Sequence, residues 1–314
     1  MNILITGATG QLGRELVPRL LKRGDRLTLL VRDTDKAGKM FPGCELIKGD
    51  VTSEGLGINR PPRPDAVYHL AADIDLGAAR DSRVWAVNFR GTVNAVNFCL
   101  LNSVPCLFYA GTAYTEKGRN SYERSKKAAE EFVEASDIGR KTIFKLGILV
   151  PGAGEAGSAS AGALYQFVNA IARVLDRAGR QKRALRIKGL PEARLNLVHS
   201  DLAADFIAGA VKPGKFWLTH PDPVKLSELA EWVGEVLGAR IKFEPDFKMS
   251  AAEALFHRGV KPFLPYLQGD DFPGSLCGWP RVTEDFVKES AAAALSPAMD
   301  KRDEVSGYRA AEVL

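Results

Sequence analysis

Tyr122 and Lys126 stand four residues apart in Asn120-Ser121-Tyr122-Glu123-Arg124-Ser125-Lys126. That spacing puts both side chains on one face of a helix. A free phenol titrates near pH ~10 and stays protonated at neutrality. A neighbouring ammonium favours the phenolate and lowers that pKa, which turns the phenol into a competent proton donor or acceptor. A surface packing pair has the same spacing, so the place of the pair in the chain carries weight. Tyr114 is another phenol nearby, but no lysine follows it at the same distance.

A second chemistry is written near the N-terminus, in Thr6-Gly7-Ala8-Thr9-Gly10-Gln11-Leu12-Gly13. The string follows an apolar run and opens a helical pattern. Glycine is needed where the chain turns tightly and where a phosphate must approach the backbone. A helix N-terminus adds free N–H groups and positive dipole. Gly7, Thr9, Gly10, Gln11, Leu12 and Gly13 are therefore the expected cradle for a dinucleotide pyrophosphate. Arg14, just beyond, reads as an exposed helix residue.

These groups need a scaffold. Asn2–Thr6, Arg26–Val31, Glu45–Lys48, Ala66–Leu70, Cys106–Ala110 and Thr142–Val150 read as strands, several apolar on consecutive positions as in a covered parallel sheet. Helical patterns lie between them, marked by Leu12, Leu16, Val17 and Leu20, by Val84, Val87, Gly91, Ala95 and Phe98, and by Tyr122, Lys126, Ala129 and Val133. The alternation predicts an α/β fold, a Rossmann-type doubly wound parallel sheet, over residues 1–150. Residues 151–314 are expected to form a smaller substrate-binding region, partly interleaved with it. There Gly152–Gly162 reads as a loop and candidate lid, helices are expected near Ala163–Ala178 and Leu226–Leu237, and the proline-rich Lys261–Pro280 reads as irregular. The end, from about Ser296, is expected to be poorly ordered.

The second strand ends Val31-Arg32-Asp33. The residue at this strand end faces the adenosine ribose, where an acid selects NAD and an arginine pairs with a 2′-phosphate. Arg32 takes that place and Asp33 points to the other side, which favours NADP(H) over NAD(H). A shift of one residue would reverse the preference.

Composition narrows the field. Lys and Arg number 43 against 38 acids, a formal charge of +5, and they are spread along the chain, so no nucleic-acid partner is expected. The densest group, Arg173, Arg177, Arg180, Lys182, Arg183, Arg186 and Lys188, reads as a solvated face, with an anion patch as the alternative. Cys44, Cys99, Cys106 and Cys277 form no CxxC pair, and the four histidines show no metal-ligand spacing. No apolar run reaches membrane-spanning length and no leader is apparent, so a cytoplasmic location is expected.

The TGxxGxxG loop together with YxxxK resembles the extended short-chain dehydrogenase/reductases, the epimerase/dehydratase-like group. The resemblance covers most of residues 1–150, with echoes to about 210 such as Asn196–Ala203. It implies that Thr112 hydrogen-bonds the substrate oxygen and that Asn88 supports a proton-relay water. It also implies that Lys126 holds the nicotinamide ribose, that Asp50 and Val51 border the adenine, and that Leu70, Ala71 and Ala72 lie along the cofactor after His69. Ala110–Phe132 looks most like the branch of carrier-thioester and fatty-acyl reductases. The chain departs from the family in the ten-residue gap from Thr112 to Tyr122, and in Lys145 and Gly147.

The reading that follows is NADPH-dependent reduction of a carbonyl, on a small-molecule or carrier-bound substrate. The rivals are a sugar-nucleotide epimerase or dehydratase with tightly held NAD, and a non-catalytic NADP-binding sensor, which would be expected to lack YxxxK. The family resemblance implies helices 84–102 and 122–135 as the place for a homodimer, and a monomer is equally compatible.

Overall fold

A computed structural model describes residues 1–77, 81–155, 163–177, 184–274 and 278–295. Residues 156–162 of the expected lid, Arg180, Lys182, Arg183, Cys277 and the segment from Ser296 lie outside the described residues. The chain divides into two compact units, one of Met1–Gly147 with Ser200–Leu218, the other of Ile148–His199 with the chain from Thr219 onward.

The first unit carries strands β1 (Asn2–Thr6), β2 (Arg26–Val31), β3 (Glu45–Lys48), β4 (Ala66–His69), β5 (Cys106–Thr112) and β6 (Arg140–Leu146). Between them run helices α1 (Gln11–Lys22), α2 (Thr34–Met40), α3 (Asp81–Trp85), α4 (Gly91–Leu101) and α5 (Ser121–Ala135). A helix α6 (Ser200–Gly209) and a strand β7 (Gly214–Leu218) complete it. The seven strands form one sheet in the order β7-β6-β5-β4-β1-β2-β3, and every neighbouring pair is parallel. This is the Rossmann-type sheet that the apolar runs predict.

Alternation along the strands sorts the two faces. Tyr68, Phe108, Phe144 and Phe216 form a ladder of stacked rings across β4, β5, β6 and β7, and Phe206 of α6 meets it edge-on. Their sequence neighbours Val67, Leu107, Tyr109 and Ile143 face the other way, into a buried cluster with Ala95, Phe98 and Cys99 of α4 and Ala129 and Val133 of α5. The catalytic candidates on α5 thus belong to the α4–α5 face.

Between α3 and α4 the helix widens to a π turn, Ala86–Arg90, with Asn88 inside it. Such turns re-aim a side chain within an otherwise regular helix. The sequence pattern reads this stretch as one helix and does not show the change.

The run Thr142–Val150, expected as one strand, is two. Gly147 N–H still bonds to the Leu218 carbonyl, whereas Ile148 N–H bonds to Asn196. From there Ile148–Val150 pairs with Leu197–His199, in the second unit. Apolar residues continue past Gly147 because both halves are at least partly buried, so only the change of partner marks the boundary.

The second unit has two further strand pairs, Ala184–Lys188 with Arg240–Glu244 and Arg194–Leu195 with Val224–Lys225. Helices Ala163–Arg177, Leu226–Leu237, Ala251–Gly259 and Glu284–Ala294 surround a core that includes Val168, Ile171, Leu185, Ile187, Leu229 and Val287. Among its described residues, 261–274 and 278–280, the stretch expected to be irregular has one short 3-10 turn, Leu264–Gln268. Two members of the basic group are engaged here, Arg186 with Glu253 at 2.9 Å and Lys188 with Asp246 at 3.1 Å.

Among the described residues no helix is long and apolar enough to cross a membrane. Nor does any cluster among them gather three metal-ligating side chains.

Candidate functional site

The order of strands reverses between β1 and β4, and the crevice at such a switch point is where open α/β sheets bind ligands. Both strand ends are tied together there. Leu70 N–H donates to the Thr6 carbonyl at 3.1 Å and Ala71 N–H to Thr6 Oγ1 at 3.3 Å. Gly7 sits at φ +75°, and a Cβ on it would meet Ala71 N at 2.5 Å. No other residue fits. Gly13 is as constrained, since a Cβ would lie 2.4 Å from the carbonyl oxygens of Gly7 and Ala8.

Helix α1 begins on Gly10 with no side-chain cap and no acid in its first turn. Its leading N–H groups are therefore free for an anion. Gln11 Nε2 is buried without a hydrogen-bond partner. An uncapped helix start, an unspent amide and a loop cleared of side chains fit a pyrophosphate. Thr9, Leu70 and Ala71 are half-buried around it, Leu12 is buried and Ala72 is exposed.

At the end of β2, Arg32 is exposed. Asp33 is occupied, because its carboxylate caps α2 by accepting from Lys36 N–H at 2.9 Å. Asp50, after β3, also serves a turn: one oxygen accepts from both the N–H and the hydroxyl of Thr52, each at 2.8 Å. Val51 is buried against Gly91, and its carbonyl accepts from Asn94 Nδ2 at 2.8 Å.

Helix α5 starts at Asn120, whose side chain accepts from Glu123 N–H. Glu123 itself is fully buried and bonds back to Arg119 through backbone and guanidinium. This double anchor fixes the first turn, which carries Tyr122. The Tyr122 phenol and the Thr112 hydroxyl lie within reach of a hydrogen bond. Burial raises the phenol pKa, and the bond with Thr112 works against that rise.

Lys126 is 2% exposed. Its Nζ donates to the Ala110 carbonyl at 2.6 Å and lies 4.5 Å from the centre of the Tyr109 ring. Desolvation pulls its pKa down to about 7, against an upward pull from Glu130. The expected lowering of the phenol pKa by the ammonium is not what this arrangement gives. The ammonium is directed at a backbone carbonyl of β5, and the influence favouring phenolate comes from Thr112.

Asn88 is fully buried and locked. Its Oδ1 accepts from Asp73 N–H at 2.7 Å, and its Nδ2 donates to the Asp73 carbonyl at 2.9 Å and to Ser125 Oγ at 3.2 Å. Ser125 in turn donates to the Tyr122 carbonyl at 2.9 Å. So Thr112 and Tyr122 meet directly, Lys126 lies one turn along, and Asn88 reaches their helix through Ser125. Asp73 and Ser125 were not anticipated, because their partner lies far away in sequence.

Lys145 turns out to be buried at 1% exposure, with Nζ bonded to Thr115 Oγ1 at 2.6 Å and to both Glu130 oxygens at 3.1 and 2.9 Å. Lys215 reaches the same carboxylate at 2.8 Å. Every bond recorded for Lys145 runs to the first unit's own packing. Asp201 accepts from the Leu202 N–H at 2.8 Å in the first turn of α6.

Known proteins resemble this chain in sequence and in fold. A 3 beta-hydroxysteroid dehydrogenase/Delta 5-->4-isomerase of Mycobacterium tuberculosis is 27% identical over 274 residues, 76% of this chain and 70% of the relative. A 2-alkyl-3-oxoalkanoate reductase of Stenotrophomonas maltophilia is 26% identical over 306 residues, 85% of this chain and 88% of the relative. Among solved structures, a UDP-glucose 4-epimerase from Thermotoga maritima superposes with a TM-score of 0.65 at 17% identity, covering 93% of this chain and 98% of its own. A thiolation-reductase di-domain from an archaeal non-ribosomal peptide synthetase gives 0.65 at 16% identity, covering 98% and 91%. The family pattern described as NAD dependent epimerase/dehydratase matches residues 3–211. With that match laid over the uncapped glycine loop and the Thr112–Tyr122–Lys126 set, the chain belongs to the NAD dependent epimerase/dehydratase family, a group of nicotinamide-dependent oxidoreductases of the extended short-chain dehydrogenase/reductase type.

Proposed function

We propose that this protein is an NADPH-dependent reductase acting on a ketone carbonyl, with aldehydes and thioester-derived carbonyls as the neighbouring classes. The observation that carries the proposal is the convergence of the Thr112 hydroxyl and the Tyr122 phenol, one helical turn from the buried Lys126. Two relatives that overlap most of the chain support the carbonyl–alcohol couple, since one is named a hydroxysteroid dehydrogenase and the other an oxoalkanoate reductase.

Gly7, Thr9, Gly10, Gln11, Leu12 and Gly13 would hold the pyrophosphate, Arg32 the 2′-phosphate, Asp50 and Val51 the adenine edge, and Leu70, Ala71 and Ala72 the flank of the dinucleotide. Lys126 would hold the nicotinamide ribose. When bound, NADPH supplies the hydride. Thr112 Oγ1 and Tyr122 Oη hydrogen-bond the substrate oxygen and stabilise its developing negative charge. Tyr122 Oη then gives up its proton to that oxygen. A phenol whose pKa is raised by burial holds this proton until the oxygen becomes basic enough to take it. Asn88 keeps the turn that faces α5 in place, and Lys126, whose pKa burial pulls down to about 7, can exchange a proton near neutral pH.

The test is NADPH oxidation with a panel of 3-oxoacyl esters and thioesters, cyclic ketones and aldehydes. Tyr122→Phe is expected to lower kcat by about 10²–10⁴-fold while NADPH still quenches intrinsic fluorescence with an unchanged Kd. Wild-type turnover in that variant refutes the assignment. Oxidised NAD retained through purification, with no net turnover, would favour the epimerase reading instead.

A further inference from the structure

A buried line of polar groups runs from the nucleotide loop to the catalytic helix, and hydrogen counting fixes its direction. The Thr92 hydroxyl donates to the Asn88 carbonyl at 2.6 Å. A carbonyl only accepts, so this bond consumes the hydroxyl's one hydrogen. His69 Nε2 lies 3.1 Å from the same oxygen and must therefore carry the N–H. The ring is 1% exposed, stacked on Tyr109 at 6.0 Å, and Lys126 is the charged group that faces it, so it stays neutral. A neutral ring protonated on Nε2 presents a bare Nδ1. Thr6 Oγ1, 2.8 Å away, donates to it and has its own lone pairs left for the Ala71 N–H. Beyond Asn88 the line continues through Ser125 to the Tyr122 carbonyl. Every donor in it has an acceptor, with no freedom left to reverse one link alone.

We propose that His69 is a positioning residue: as the Nε2–H tautomer it ties the nucleotide loop at Thr6 to the π turn at Asn88 and, through Ser125, to the helix that carries Tyr122. The loop and the proton donor are thereby held in one register, although they lie on different strands and helices. A hydroxyl at 92 is needed because that atom must accept from His69 and donate to Asn88 at once. The kinetic consequence rests on the proton-donor role proposed above for Tyr122; the tautomer does not.

Two measurements decide it. In histidine-15N-labelled protein, with the His69 signals identified by their loss in His69→Gln, the long-range 1H–15N spectrum at neutral pH is expected to show Nε2 protonated and Nδ1 bare. An Nδ1–H ring or an imidazolium overturns the proposal, whatever the enzyme turns over. In the kinetic arm, Thr92→Val is expected to lower kcat about ten-fold or more through misplacement of the donor, with the carbonyl KM unchanged. Thr92→Ser, which keeps the hydroxyl, is expected to stay within about two-fold of wild type. Full kcat in Thr92→Val, or equal loss in Thr92→Ser, overturns it. Absence of wild-type turnover on every carbonyl would instead sink the proposed function and leave the tautomer to judge the wire.

Discussion

Replacing Glu130 by leucine should damage the first unit far more than replacing its buried partner Lys145 by methionine. The side chains are 7% and 2% exposed and paired at 2.9 Å. In Glu130→Leu the Lys145 ammonium keeps only Thr115 and the face of Trp217, at 4.8 Å. A buried charge stripped of its counter-ion costs about 3–5 kcal/mol. Lys215 is barely affected, because it retains Glu134 at 2.6 Å and is 37% exposed. In Lys145→Met the carboxylate still holds Lys215 at 2.8 Å, so it is not orphaned. The loss there should be about 1–2 kcal/mol, the lower end of the cost of an imperfectly satisfied buried group. With a urea m-value of about 2–3 kcal/mol/M, Glu130→Leu should lower the unfolding midpoint by about 1–2 M and Lys145→Met by less than half as much. The double variant, with no charge left over, should recover part of the loss. Far-ultraviolet circular dichroism across a urea series reads all three. Equal losses in the two single variants, or losses below about 1 kcal/mol in both, would refute the reasoning.

Other consequences follow from single sites. Gly7→Ala places a left-handed alanine against the backbone of Ala71, so both the melting temperature and NADPH affinity should fall, the latter by about ten-fold or more; an unchanged NADPH titration would contradict the close approach. Arg32→Ser should weaken NADPH by about 5–30-fold and leave NADH unaltered, a solvent-screened arginine–phosphate pair being worth about 1–2 kcal/mol; parallel loss of both cofactors would mean that Arg32 does not face the 2′-phosphate. Lys126 titrates at about 7 in the folded chain against 10.5 when free, so between those values the unfolded chain binds the extra proton and stability rises with pH. Urea midpoints at pH 7 and 9 should show that rise in the wild type and a flatter response in Lys126→Met; identical slopes would place the lysine in water.

The parallel strands were legible because burial on both faces writes them as continuous apolar runs, as in Leu27–Val31. The same feature hid the break at Gly147, where apolar residues stand on both sides and the change of pairing depends on Asn196 and Leu218 far along the chain. In the second unit, strands such as Ala184–Lys188 alternate with charges and read as surface. At the site, Tyr122 and Lys126 could be named from type and spacing, and Thr112 and Asn88 from the family resemblance. The direction of the Lys126 ammonium could not, since the Ala110 carbonyl sets it through the fold. Glu130 stands one turn after Lys126 on the same helix face, but its partner Lys145 lies on another strand, which the sequence alone does not bring near. Thr92 and His69 each look like ordinary core polar residues until their shared hydrogen is counted.

The seventh strand of the sheet, Gly214–Leu218, is drawn from beyond the long excursion that begins at Ile148. During synthesis, β6 therefore emerges with its outer row of N–H and C=O groups bare, and stays so until the ribosome has made everything up to Leu218. An open strand edge is a template for the wrong neighbour. Nascent or truncated chains ending between Leu146 and Gly214 should be the aggregation-prone species of this protein, and a chaperone acting on it would have its work in that interval.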